Sequence, residues 1–254
     1  MRLILALMLM IAAPAWAAEP PKSFAAAKTL LAQIHEDIGH LETLYCGCPY
    51  KRKASGSGGL MDTAKGCPNI VNPDIKRTAR TEWEHVVPAW RMGHNLACWK
   101  PGIATCVNSK GEAYKGRKCC EDHNPAFRAA HNDPHNIFPA NGQLNGDRLN
   151  HPYGKFEGPG MRTYGACEFK VGGSPKRAQY SKAVKGDVAR AILYMAEKHS
   201  ITVPYDRDQL TKDSAEDPPE IWEINRAKAI REKTGLRNRF ILGDCDGAVT
   251  MRCE

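Results

Sequence analysis

The sequence predicts an α+β fold: a mostly helical protein with a small sheet, stapled by disulfides. Three observations support this prediction. Apolar residues recur at helical spacing in three segments, strand signals are confined to two short runs, and all ten cysteines follow an apolar N-terminal leader. The 254 residues are 42% hydrophobic and 25% charged, which is typical of a globular protein. Because no internal repeat or long linker interrupts the chain, we expect one domain over residues 18–254.

The first 17 residues predict a signal peptide. They carry one charge, Arg2, then an apolar run, and end in the small-x-small sequence Ala15-Trp16-Ala17. The run is shorter than the ~20 apolar residues that cross a bilayer, and no later run is longer. We therefore expect a periplasmic or secreted protein that has no contact with a membrane, and we take it to be a monomer.

The cysteine count predicts a disulfide framework. Ten cysteines, an even number, in an exported chain indicate up to five bridges. Residues 46–65 lack periodicity and predict a surface loop, which we expect to be held by a bridge from Cys46 or Cys48 to Cys67. The region from Cys98 to Cys167 is expected to be irregular and held by further bridges.

Two amphipathic helices are predicted from apolar spacing. The first covers residues 24–41, with Ser23 placed to cap its start. The second covers residues 185–199 and ends before Pro204. Their apolar faces are expected to belong to the core.

A third helix and two strands are predicted near the motifs. Asp217 is expected to cap the third helix, Pro218 to occupy its first position and Gly235 to end it. Strands are predicted over residues 84–87 and 240–242. The sheet is therefore expected to be small.

The sequence EWEHVVPAW at residues 82–90 brings two carboxylates and an imidazole close together. Glu84 and His85 point to opposite sides of an extended strand, so they can meet one substrate only at a bend, with Glu84 on a metal and His85 beside it. A helical zinc protease motif is excluded because Pro88 breaks the helix and position 89 is Ala. An ordinary hydrogen-bonded, half-buried strand histidine is the alternative for His85.

A second polar cluster lies in DPHNIFPANGQLNGDRLN, residues 133–150. If Pro139 starts a helix, Asn141, Asn145 and Arg148 share one face, which is polar where a core helix would be apolar. The glycines at positions 142 and 146 disfavour a helix by about 1 kcal/mol each relative to alanine, which is consistent with close approach of a phosphate backbone. A turn-rich loop is the alternative interpretation.

These motifs, with Gly-Arg-Lys-Cys at residues 116–119 and the segment at residues 223–240, resemble the bacterial endonuclease I family. Its members are exported, non-specific nucleases with a ββα-metal active site, and the resemblance covers most of residues 40–243. It implies a ββα-metal finger here. It also implies that His85 is the general base, that Glu84 and Asn145 are the metal ligands, and that Arg117 contacts the scissile phosphate.

The chemistry of these residues agrees with phosphodiester hydrolysis. A carboxylate and an amide oxygen suit Mg²⁺, with Mn²⁺ or Ca²⁺ as possible substitutes, and a neutral histidine can deprotonate water near neutral pH. Since such a route does not use a 2′-OH, both DNA and RNA backbones are expected substrates, with 5′-phosphate ends as products. Asn141 and Arg148 are expected to contact the substrate. The net charge of +8, or +7 without Arg2, favours phosphate binding.

Two other functions remain open at this point. An exported protein that captures or takes up nucleic acid without cleaving it would use the same basic groove, although it would not need a base beside a metal ligand. Alternatively, Cys46-Gly47-Cys48 and Cys119-Cys120 could serve redox or metal chemistry. Such pairs in exported chains are more often structural bridges.

Overall fold

The computed structural model describes residues 18–62, 75–157 and 162–243. The predicted signal peptide and Cys67 lie outside the described residues. The helices are α1 (Phe24–Asp37), α2 (Ala89–Gly93), α3 (Arg117–His123), α4 (Pro125–His131), α5 (Gly142–Arg148), α6 (Lys185–Lys198), α7 (Arg207–Glu216), α8 (Ile221–Thr234) and α9 (Arg239–Leu242). The strands are β1 (Tyr50–Arg52), β2 (Gly59–Met61), β3 (Thr81–His85), β4 (Ile137–Asn141), β5 (Arg162–Tyr164), β6 (Cys167–Gly172) and β7 (Arg177–Gln179). This composition confirms the predicted α+β class.

The centre of the fold that matters for function is the antiparallel pair β3 and β4, followed directly by α5. In this pair Glu84 lies opposite Phe138, and Thr81 lies opposite Asn141. Just beyond the pair, the Asn136 side chain forms two hydrogen bonds with the backbone of Val87: it donates to the carbonyl oxygen and accepts from the N–H. The strands are therefore fixed in register at the point where β3 ends.

Helix α6 forms the middle of the largest hydrophobic core. Ten consecutive residues from Gly186 to Met195 are buried, so the helix is covered on all sides. The predicted second helix is confirmed by α6. The predicted first helix is confirmed by α1, where Ser23 caps the start by accepting a hydrogen bond from the Ala26 N–H.

Two boundary predictions in the C-terminal third were wrong. Helix α8 starts after Glu220, not at Pro218, because the Asp217 carboxylate instead accepts the Gly186 N–H and so joins α7 to α6. Its predicted end at Gly235 is confirmed, with that residue in the left-handed conformation at φ 71°. The predicted strand at residues 240–242 is the short helix α9, capped by the Asn238 side chain through the Phe240 N–H.

The predicted helix start at Pro139 was also wrong. Residues 137–141 form β4, all of them buried against β3 and the core. The helix begins after Asn141, whose side-chain oxygen accepts the N–H groups of Gln143 and Leu144. Asn141 therefore serves as the N-cap of α5 and does not lie on its polar face.

Three disulfides join the described residues. Cys98–Cys120 and Cys106–Cys119 staple the region around α3, as predicted. Cys46 bonds to Cys167, which excludes the predicted alternative of a bridge from Cys46 to Cys67. This bridge spans 121 residues and ties the loop before β1 to β6.

Across the described ranges, none of the helices combines the length and apolar character needed to span a bilayer.

Candidate active site

A cavity with a volume of about 790 Å³ lies beside β3 and α5. Glu84, His85 and Asn145 all line it, together with the predicted phosphate contact Arg117. The structure therefore brings together residues that are far apart in the sequence. Its walls are basic and aromatic, with further contributions from Phe24, Lys28, Arg77, Arg80, Trp83, Trp90 and Trp99.

Glu84 is a buried carboxylate held by two hydrogen bonds to one oxygen. Its side chain is 4% exposed. Oε1 accepts from Arg148 Nη1 at 2.8 Å and from the Tyr45 hydroxyl at 3.0 Å. Burial raises the pKa of Glu84, and the Arg148 charge and the Tyr45 hydrogen bond oppose that increase. The carboxylate is thus fixed in orientation before any ligand binds.

His85 is the last residue of β3, and the chain bends immediately after it. Glu84 and His85 both line the cavity although they are adjacent in a strand, and the bend lies where the sequence analysis expects one. His85 Nε2 lies 2.7 Å from the backbone carbonyl oxygen of His131. Because a carbonyl can only accept, Nε2 carries the proton and Nδ1 keeps its lone pair.

Burial and the nearby charge of His131 lower the pKa of His85 well below 6.5. The ring is packed between Phe24 and His131, with centroid distances of 4.8 and 4.7 Å. His85 is therefore a neutral imidazole of fixed tautomer and orientation at physiological pH. A neutral imidazole with a free lone pair on Nδ1 can accept a proton.

Asn145 lies in the middle of α5 and contacts Glu82, a residue whose role was not predicted. Asn145 Nδ2 donates to Glu82 Oε2 at 3.1 Å. Since this bond uses the amide nitrogen, it fixes the plane of the amide and leaves Oδ1 as the atom that can bind a cation. Glu82 is also paired with Arg77 and Arg80, both on the cavity wall.

Arg117 is exposed at the start of α3 and has no hydrogen bond or ion pair to any described residue. Its charge is near enough to His85 to contribute to the lowered pKa of that histidine. An unpaired guanidinium at the cavity wall can bind a phosphate by two parallel hydrogen bonds.

Asn141 and Arg148, the two predicted substrate contacts, are inside the protein. Asn141 is 1% exposed, caps α5 and donates to the Thr78 carbonyl oxygen. Arg148 is 0% exposed and donates to Glu84 and to the carbonyl oxygens of His85 and Val86. Partners inside the protein occupy both side chains, although Arg148 borders the cavity, so the predicted direct contact of either residue with the substrate gains no support.

The two glycines of α5 are explained by Arg77 and not by a bound phosphate backbone. A Cβ atom on Gly146 would lie 2.2 Å from Arg77 Nη1, and one on Gly142 would lie 2.6 Å from the Arg77 carbonyl oxygen. The segment that carries Arg77 therefore packs directly on α5. A larger residue at Gly142 would collide with the Arg77 backbone, and one at Gly146 would displace the Arg77 guanidinium.

The residues present fit a hard divalent cation. Glu84 and Asn145 supply one carboxylate and one amide oxygen to the same cavity, which suits an ion that keeps several waters. Within the described residues no group of three or more His, Cys, Asp or Glu side chains could hold a metal. All seven described cysteines are disulfide-bonded, so the alternative of thiolate metal chemistry finds no ligand among them.

Two antiparallel strands and the helix that follows them bring a neutral histidine, a carboxylate and an amide oxygen to one cavity, an arrangement that fits a metal-dependent hydrolase. The sequence profile of the Endonuclease I family matches residues 23–245. The chain therefore belongs to the Endonuclease I family and is an endonuclease, a phosphodiester hydrolase.

Curated relatives are similar in sequence to this chain over nearly its whole length. A periplasmic deoxyribonuclease of Aeromonas hydrophila is 35% identical over 96% of this chain and 94% of its own length. An extracellular deoxyribonuclease of the same organism is 34% identical over 96% and 97%. Endonuclease-1 of Buchnera aphidicola subsp. Acyrthosiphon pisum is 32% identical over 88% and 82%. The first two locations agree with the predicted periplasmic or secreted protein.

Proposed function

We propose that this protein is an exported, metal-dependent endonuclease that hydrolyses DNA and RNA without sequence preference and leaves 5′-phosphate ends. The observation that carries the proposal is His85, a neutral histidine of fixed tautomer that lines one basic cavity with Glu84 and Asn145. The deoxyribonuclease names of the relatives support DNA as a substrate. Nothing in the proposed chemistry requires or excludes a 2′-OH, so RNA is included.

In this proposal Glu84 and Asn145 hold the cation, which is Mg²⁺ or, in its place, Mn²⁺ or Ca²⁺. When bound, the cation neutralises charge that builds on the phosphate and the leaving oxygen. His85 takes the proton of the attacking water on Nδ1, and its Nε2–H stays on the His131 carbonyl oxygen. The bond between phosphorus and the 3′ oxygen breaks in line, the departing 3′ oxygen takes a proton from solvent water, and the phosphate remains on the 5′ end.

Arg117 binds the phosphate that is cleaved, because it is exposed on the cavity wall and unpaired among the described residues. Arg148 and Asn141 act from inside, Arg148 by holding Glu84 and Asn141 by capping α5. The aromatic side chains of the wall suit the bases, which stack on any π-face regardless of sequence.

The decisive experiment incubates the purified protein with plasmid DNA and with single-stranded RNA, with Mg²⁺ or with EDTA. We expect cleavage of both with Mg²⁺ and none with EDTA, and products that a 5′-phosphate-dependent exonuclease degrades. Binding without cleavage under every metal condition would instead identify a nucleic-acid capture protein. Cleavage of DNA alone would remove RNA from the proposal.

A further inference from the structure

We infer that Glu82 is a positioning residue that aims the Asn145 side chain at the cation. This inference deepens the proposed function and rests on it. Glu82 and Glu84 are two residues apart in β3, so both side chains leave the same face of the strand. Each contacts a different residue of α5: Glu82 holds Asn145, and Glu84 holds Arg148.

These two contacts join the strand to the helix. Asn145 and Arg148 are three residues apart on α5 and therefore lie on the same side of it. In one contact the helix residue Arg148 holds the proposed ligand Glu84. In the other the strand residue Glu82 holds the proposed ligand Asn145. Each proposed ligand is thus fixed by a partner from the opposite element.

Glu82 is itself held firmly, which a positioning role requires. Arg77 donates from Nε to Oε1 at 2.8 Å and from Nη2 to Oε2 at 2.5 Å, a two-pronged contact. Arg80 donates to Oε1 at 2.9 Å. Arg77 in turn packs on Gly146, the residue after Asn145. The carboxylate cannot turn away from Asn145 without breaking these contacts.

The amide of Asn145 needs such a partner because Oδ1 and Nδ2 are similar in size and position and differ only in that one accepts and the other donates hydrogen bonds. Rotation by half a turn would place Nδ2, a donor, where the cation needs an oxygen. Of the two ends of the Asn145 amide, only Nδ2 can donate to the Glu82 carboxylate, so that carboxylate selects the orientation in which Oδ1 is available. Partners of this kind are expected to tune metal affinity about 10- to 100-fold.

The test measures Mn²⁺ binding by electron paramagnetic resonance, without substrate, in the wild type, Glu82→Ala, Asn145→Ala and the double variant. We expect Glu82→Ala to weaken binding about tenfold, and to cause no further loss in the Asn145→Ala background. Glu82→Gln keeps an acceptor for Nδ2 and should lose less affinity than Glu82→Ala. Glu232→Ala removes one exposed carboxylate on α8 and should bind Mn²⁺ as the wild type does.

The alternatives give different results. If Glu82 acts only through its charge, Glu82→Gln will match Glu82→Ala, and the loss will persist in the Asn145→Ala background, which overturns the inference. Wild-type Mn²⁺ affinity in Glu82→Ala also overturns it, while leaving the proposed function intact if Asn145→Ala binds weakly. Wild-type affinity in Asn145→Ala overturns the ligand assignment and the inference together. Urea unfolding of each variant shows whether a loss reflects misfolding.

Discussion

Replacing Arg148 with methionine should destabilise the protein far more than the same change at Arg117. The Arg148 guanidinium is fully buried, and it donates to Glu84 and to the carbonyl oxygens of His85 and Val86. Arg148→Met leaves a buried carboxylate without its counter-ion and two backbone acceptors without donors. Arg117→Met removes an exposed side chain with no ion pair among the described residues.

The size of the effect follows from the burial of the pair. Removing one partner of a buried ion pair costs about 3–5 kcal/mol, because the remaining charge is uncompensated. The lost hydrogen bonds to the two carbonyl oxygens belong to the same network, so their loss is part of this figure. Since domains have roughly 5–15 kcal/mol of stability in total, Arg148→Met should lose about a fifth of it or more.

Equilibrium unfolding in urea measures this loss. With a slope of about 3 kcal/mol per M, the midpoint of Arg148→Met should fall by roughly 1–1.7 M. Arg117→Met should unfold within about 0.5 kcal/mol of the wild type, as exposed substitutions do, but should cleave poorly. The double variant Glu84→Gln with Arg148→Met should regain most of the lost stability, because no charge remains buried.

A midpoint of Arg148→Met within 0.3 M of the wild type would refute the reasoning, since the Glu84–Arg148 pair could not then be as dry as the structure shows. Loss of DNA affinity in EDTA for a stably folded Arg148→Met would restore the original expectation that Arg148 contacts the substrate.

Three further predictions concern the base, acid stability and the disulfides. His85→Ala should lower cleavage about 10²- to 10⁴-fold in initial-rate assays with DNA affinity retained, while His123→Ala, an exposed histidine outside the cavity, should remain active. Burial lowers the pKa of His35 to about 3 and of His135 to about 4, so their stabilisation is complete above pH 6.5 and is lost as the pH falls toward these values. Between pH 7 and 5 this should cost roughly 2 kcal/mol each, which urea midpoints at both pH values would measure, and a flat profile would contradict it. Reducing the Cys46–Cys167 bridge, which spans 121 residues, should cost about 5 kcal/mol in the same assay, and an unchanged midpoint after reduction would rule this out.

The fold class and the principal helices could be predicted because they depend on local signals. The helix over residues 185–199 was recognised from a stripe of apolar residues, and Ser23 and Gly235 marked helix ends that the structure confirms. The capping of α8 could not be predicted, because Asp217 has a competing partner in the Gly186 N–H, 31 residues away. A candidate N-cap residue is predicted from the residues that follow it in the sequence, whereas the N–H group that it binds depends on the tertiary structure.

The predicted helix start at Pro139 was wrong for a similar reason. Pro139 suits the first turn of a helix, and nothing local forbids it there. The pairing of β4 with β3, about fifty residues earlier, places Pro139 opposite Trp83 and postpones the helix to Gly142. Tertiary pairing thus overrode a local preference, and Asn141 became a cap instead of a surface residue.

At the site, the sequence indicated the residues with chemical roles but not those that hold them. Glu84, His85, Asn145 and Arg117 line one cavity, as their assigned roles require, although their individual roles remain predictions. Glu82 was recognised only as a second carboxylate, and Tyr45 was not singled out at all. A usable signal for Glu82 existed, since the spacing of two puts it on the same strand face as Glu84.

The charges around the cavity explain why so few ligands can suffice. Its described lining carries five basic side chains, Lys28, Arg77, Arg80, Arg117 and Arg148, against the two carboxylates of Glu82 and Glu84. Arg148 neutralises Glu84, and two arginines outweigh Glu82, so a cation entering alone meets a site of net positive charge. In the proposed function, the phosphate of the substrate supplies the missing negative charge and also binds Arg117. The metal and the substrate should therefore each raise the affinity of the site for the other. The cation should then occupy the cavity mainly when a phosphodiester is bound there.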